Sequence, residues 1–162
     1  MKRKNLGSVN FVRLLLLTAI LLTGCMDVEI ELDAKSPERT PTETVSLYVD
    51  NFNSANVKAL NETTASPFFW LLGEEKNVYD KYGDSVDFQA LQNNGWSYSK
   101  INSLELIYED SETSMVHMNF SRYGADDQVI LTASASYLLM IYDDNWKIKG
   151  SFAPTHISTG ID

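Results

Sequence analysis

The stretch QVILTASASYLLMIYDDNWKIKGSFA, Gln128 to Ala153, decides the fold. Its first part, Gln128 to Tyr142, is rich in the β-branched and aromatic residues that suit a pleated surface. Asp143-Asp144-Asn145 is a turn cluster. Beyond it, Trp146, Ile148 and Phe152 alternate with Lys147, Lys149 and Ser151, the period-two pattern of a strand. The stretch therefore predicts a hairpin closing an antiparallel sheet. In its long arm, Val129, Leu131, Ala133, Ala135, Tyr137, Leu139 and Ile141 share one face. Ile130, Thr132, Ser134, Ser136, Leu138 and Met140 share the other. Both faces turn apolar towards the turn, whereas a sheet with one wet face alternates cleanly. The second face is expected either to line a pocket or to pack on a second copy of the chain, a homodimer through the sheet.

Working backwards, SMVHMNFSRY (Ser114 to Tyr123) sets Val116, Met118 and Phe120 against His117, Asn119 and Ser121. Ile101, Leu104, Leu106 and Tyr108 mark a strand before it, and Gly124 to Asp127 a turn after it. Upstream of Trp96 the period changes to that of a helix. Val45, Tyr48, Val49 and Phe52 fall at i, i+3, i+4 and i+7, one helix face. Thr42 reads as the N-cap, with Glu43 in the first turn. NSAN, Asn53 to Asn56, breaks this helix. Val57 and Leu60 open a second, short one that stops before Ser66-Pro67. FFWLL, Phe68 to Leu72, reads as a strand or a pocket wall, and Gly73 to Gly83 as loop. Val86, Ala90 and Leu91 suggest a third helix, ended by Asn94-Gly95. Helices first, then about four strands in a meander, argue an α+β domain with helices on one face of an antiparallel sheet.

The N-terminus carries a different signal. Lys2, Arg3, Lys4 and Arg13 precede the apolar run Leu14 to Thr23, with no acid before Asp27. A lasting membrane span needs roughly 20 apolar residues, so a basic start and a short run read as a secretory signal. The run ends in Leu22-Thr23-Gly24-Cys25, which resembles the bacterial lipobox. The resemblance implies that Leu22, Thr23 and Gly24 are recognised by signal peptidase, which cuts before Cys25, and that the Cys25 sulfur carries a diacylglyceryl group. One acyl chain holds a protein to a bilayer only marginally, at about 0.8 kcal/mol per buried methylene, whereas two or three hold it stably. Cys25 is the sole cysteine, so no disulfide forms within the chain. The expected organisation is a signal peptide over 1–24, a lipidated tether over 25–41, a domain over 42–153 and a polar tail over 154–162. In the tether, Val28, Ile30 and Leu32 alternate with acids and admit a short strand.

The mature part holds all 22 acids but 9 basic residues, a side-chain balance of −13. Such a surface repels nucleic acid. Two distant histidines and one lipidated cysteine make no zinc site, and Asp126-Asp127 and Asp143-Asp144 lack the frame of a calcium loop. There is no glycine-rich phosphate loop and no nucleophile elbow. No cofactor is expected.

The layout over Thr42 to Ala153 is similar to the nuclear transport factor 2-like, or SnoaL-like, cystatin-like superfamily. ETVSLYVDNFNSANVKAL supplies the opening helices and SYLLMIYDDNWKIKGSFA the closing hairpin. The resemblance implies a strongly curved sheet wrapped around helices, with a conical pocket between them. Tyr48, Phe52, Trp70, Trp96, Met118 and Leu138 are the expected pocket-lining residues. Members include isomerases, dehydratases, cyclases and non-catalytic binders, so the fold does not fix the function. The catalytic acids of ketosteroid isomerase would align with Ser66 and Leu138, neither of which is an acid.

Other candidates are weak. His117 lies on the polar strand face with Asn119 and Ser121, and His156 lies in the tail. Arg122 with Asp126 and Asp127 reads as a solvated ion pair beside a turn. The expectation is an anchored, non-catalytic module that binds a small hydrophobic ligand or another protein. The alternative is a SnoaL-type enzyme, distinguished by a pocket group with a perturbed pKa. Met26, not Asp, follows Cys25, which points to the outer membrane facing the periplasm; in a cell with one membrane, the site is its outer face.

Overall fold

The computed structural model describes residues 36–153 and 157–161. The lipobox residues Leu22, Thr23, Gly24 and Cys25, the alternation at Val28 to Leu32, and His156 lie outside the described residues.

Helix α1, Pro41–Asn53, starts one residue before the expected cap. Thr40, not Thr42, is the N-cap. The Glu43 carboxylate accepts from the Thr40 N–H at 2.8 Å while the Thr40 hydroxyl accepts from the Glu43 N–H. Two otherwise orphaned donors are satisfied together, and Pro41 occupies N1, where its missing N–H costs nothing. Its buried face is Val45, Tyr48, Val49 and Phe52, as the spacing predicts. Helix α2, Val57–Thr63, is capped by Asn56, whose side chain accepts from the Ala59 N–H at 3.1 Å.

Among the described residues, six strands form a single sheet: β1 Thr64–Leu72, β2 Glu75–Tyr79, β3 Tyr98–Glu109, β4 Thr113–Tyr123, β5 Val129–Tyr142 and β6 Asn145–Ala153. Their spatial order is β2-β1-β6-β5-β4-β3. The predicted meander is β3 to β6, paired antiparallel throughout. FFWLL lies within β1, which runs parallel to β6 and makes the sheet mixed. The segment expected as loop holds β2, paired antiparallel with β1, and a 3₁₀ turn over Tyr82–Ser85. Helix α3, Phe88–Asn93, begins after Asp87 caps the Ala90 N–H.

The final strand corrects the simple alternation. Leu138 pairs with Gly150 but Leu139 pairs with Ile148, so Lys149 is an inserted residue, a bulge. One extra residue reverses the faces beyond it. Trp146 and Ile148 are therefore buried inside, but so is Ser151, while Phe152 lies half-buried on the outer face with Phe69, their rings 5.8 Å apart.

The core lies between the helices and the inward face of the sheet. It joins Tyr48 and Phe52 of α1, Phe68 and Trp70 of β1, Tyr82, and Val116, Met118, Phe120, Tyr137 and Leu139 of β4 and β5. Burying a side chain such as Phe68 contributes about 1.5–3 kcal/mol. Among the described residues, no helix is long and apolar enough to cross a membrane.

Candidate functional site

Between the helices and the sheet is a cavity of about 30 Å³, room for one or two water-sized groups. The interior is thus mostly filled by side chains. Helix α1 supplies Tyr48, Val49 and Phe52; β1 supplies Trp70; β3 supplies Ser99. Strands β4 and β5 add Met118, Phe120, Arg122, Ala135 and Tyr137, and the C-terminal segment closes it with Ile157 and Thr159.

Of the expected pocket residues, Tyr48, Phe52, Trp70 and Met118 line this cavity. Trp96 does not: it packs edge-on against Phe52 at 5.2 Å and donates to Ser99 Oγ at 3.0 Å. Leu138 is a correction. The inward face of β5 is the one bearing Ala135, Tyr137 and Leu139, so Leu138 sits on the outer face beside Met115 and Gly150.

Arg122 is the second correction and the residue that the reading of the sequence missed. It makes no ion pair with Asp126 or Asp127; the Asp127 carboxylate instead accepts from the Tyr98 hydroxyl at 2.7 Å. Arg122 is 7% exposed and faces the cavity. Its guanidinium lies over the rings of Phe52 and Phe120, at 5.7 and 6.0 Å. Nη1 donates to the Ser158 carbonyl at 2.7 Å, which ties the C-terminal segment across the cavity. The signal was present: the alternation that groups Val116, Met118 and Phe120 places Arg122 on the same face. Burial pulls its pKa down, yet a guanidinium remains cationic at neutral pH.

Three tyrosines surround this charge. The Tyr48 and Tyr82 hydroxyls bond each other at 2.8 Å, and Tyr137 packs its ring 5.5 Å from that of Tyr48. Burial drives all three pKa values up, so each keeps its proton. Trp70 Nε1 and Arg122 Nε are buried with no hydrogen-bond partner among the described residues. No carboxylate or histidine lines the cavity among the described residues. His117 is on the outer face, its Nδ1 2.9 Å from Ser136 Oγ.

A wider groove of about 440 Å³ opens between α1, α2 and the start of β6. It mixes Glu38 and Glu62 with Arg39 and Lys147. Among the described residues no cluster of three acids, histidines or cysteines is arranged to hold a metal.

No protein-family model matches the chain, and no curated protein matches it in sequence. Solved structures do match in shape. One is a protein of unknown function with a cystatin-like fold from Nostoc punctiforme, at a TM-score of 0.57 and 8% identity, covering 69% of this chain and 85% of that one. A proposed dehydratase of the NTF2-like family from Streptomyces avermitilis matches at a TM-score of 0.55 and 10% identity, over 72% and 93% of the two chains. An NTF2-like protein of unknown function from Shewanella oneidensis matches at 0.53 and 12%, over 69% and 93%. At these identities the likeness shows the fold alone, the α+β architecture that these structures share, and not the chemistry.

Proposed function

We propose that this chain is a lipid-anchored envelope protein whose NTF2-like domain is a non-catalytic module binding a small ligand. The observation that carries the reading is the cavity lining. General acid–base chemistry near neutral pH needs a group that exchanges a proton there. Tyr48 and Tyr137 in the lining, and Tyr82 behind Tyr48, are held protonated; Arg122 stays charged, and the remaining lining is apolar, indole or hydroxyl-bearing. The group thus offers recognition (a charge, rings and hydroxyls) rather than proton transfer. The alternative, a SnoaL-type isomerase, dehydratase or cyclase, has the fold in its favour but no acid or base at the cavity among the described residues.

The anchor is supported by Leu22-Thr23-Gly24-Cys25 after a basic, apolar leader. Met26 after the cysteine favours the outer membrane. The decisive experiment is native mass spectrometry of the protein released gently from membranes of its own host. Adducts of one small molecule are expected on the intact chain. A chain that carries no adduct, and that turns over members of a panel of small hydrophobic substrates, would reverse the reading in favour of the enzyme.

A further inference from the structure

We infer that the cavity at Arg122 receives the carboxylate of a small organic acid. This rests on the binding-module reading and names its ligand class. The first observation is charge without a counter-charge. Arg122 is 7% exposed, and among the described residues its hydrogen-bond partner is a neutral carbonyl, that of Ser158. A buried cation without an anion is costly. The faces of Phe52 and Phe120 offset part of that cost, and they do so without supplying an acceptor.

The second observation is independent. Arg122 Nε and Trp70 Nε1 are both buried, both belong to residues lining the cavity, and both lack an acceptor among the described residues. Proteins leave few such groups unpaired. Each of these nitrogens can only donate. The occupant that completes the site must therefore be rich in acceptors, and an ionised carboxylate is acceptor-only. Its planar pair of oxygens suits the edge of a guanidinium.

Size and charge narrow the class. About 30 Å³ takes the two water-sized oxygens of a carboxylate, so only the smallest acids qualify. A phosphate dianion would meet a single cation in the lining. Val49, Met118 and Phe120 wall the remainder and suit a short alkyl tail. A longer acid would need Ile157 or Thr159 to move.

The test uses the full-length chain in detergent micelles and follows the Nε–H resonance of Arg122 by NMR, identified by its loss in Arg122→Lys. Acetate and propionate are titrated against acetamide and propionamide, which have the same shape without the charge, with chloride as an anion control. Saturable shifts are expected with the two acids, at least tenfold weaker binding with the amides, and no saturation with chloride. Arg122→Met, checked for folding by circular dichroism, should lose the acids; if it does not fold, the wild-type titrations decide alone. Equal binding of acids and amides overturns the carboxylate assignment but leaves the binding module standing, as does saturation by chloride. No saturable shift up to about 10 mM also overturns it, and the adducts sought by native mass spectrometry then judge the module separately.

Discussion

The side chain of Asn53 and the backbone of Ser99 hold two hydrogen bonds on each other. Asn53 Oδ1 accepts from the Ser99 N–H and Asn53 Nδ2 donates to the Ser99 carbonyl, both at 2.8 Å. The amide thus imitates a neighbouring strand, and it fastens the last residue of α1 to β3 at the rim of the cavity. Ser99 lines that cavity, and its hydroxyl accepts from Trp96. Asn53→Ala removes both bonds and leaves two backbone groups of a buried residue unpaired. The expected loss is about 1–3 kcal/mol, read as a lower urea midpoint with an unchanged slope.

Gly150 lies directly beneath the ring of Phe69, across the parallel pair of β6 and β1. A Cβ at this position would clash with the ring, most closely with Cε2. Gly150→Ala is therefore expected to destabilise by about 1–3 kcal/mol, the usual cost of overpacking. Phe69→Leu should relieve much of that, so the two changes together should cost less than their sum. Urea unfolding of the two single variants and the double variant checks it; strict additivity would show that the ring moves aside freely.

The fold was legible wherever periodicity was local. Val45, Tyr48, Val49 and Phe52 announce α1, and the alternation of β4 to β6 announces the meander. Strand β2 was hidden because nearly all its residues are exposed, leaving Glu75 to Val78 without a buried face. Tyr82 is fully buried but stands alone between Lys81 and Gly83, so no period marks it. The parallel β1–β6 pairing joins residues far apart in sequence and leaves no local trace. The bulge at Lys149 reversed the faces of Ser151 and Phe152, which strict alternation had placed the other way. Arg122 was legible and overridden: its position in the β4 alternation points inward, but a charged residue beside a turn reads as solvated. The cavity follows from these pieces, since Arg122, Ile157 and Thr159 complete what Tyr48, Phe52, Trp70 and Met118 begin.

Cys25→Ser tests the anchor alone. Oxygen in place of the sulfur removes the proposed acceptor of the diacylglyceryl group while leaving the domain's core, which lies wholly downstream, untouched. The variant is expected to incorporate no radiolabelled palmitate and to leave the membrane fraction, since on the proposed reading two or three acyl chains supply the attachment. Labelling and fractionation identical to the parent chain would remove the anchor and the envelope address together.

The buried tyrosines predict alkaline sensitivity. Burial raises the pKa of Tyr48, Tyr82 and Tyr137 above the ordinary value of 10.0. In the unfolded chain they ionise near that value, while in the folded chain they keep their protons. Above it the unfolded state binds fewer protons than the folded state, so stability falls as pH rises. The contribution is fully present below pH 10 and is lost progressively above it. Tyr82→Phe removes one titrating group and should flatten the slope of stability against pH in that range. At neutral pH the same change leaves the Tyr48 hydroxyl without its partner and costs about 1–2 kcal/mol. Replacing both Tyr48 and Tyr82 by Phe should cost less than twice that, because neither hydroxyl is then stranded. Urea midpoints at neutral pH and above pH 10 separate the two effects. A slope unchanged by the double replacement would mean that these phenols ionise freely in the folded chain.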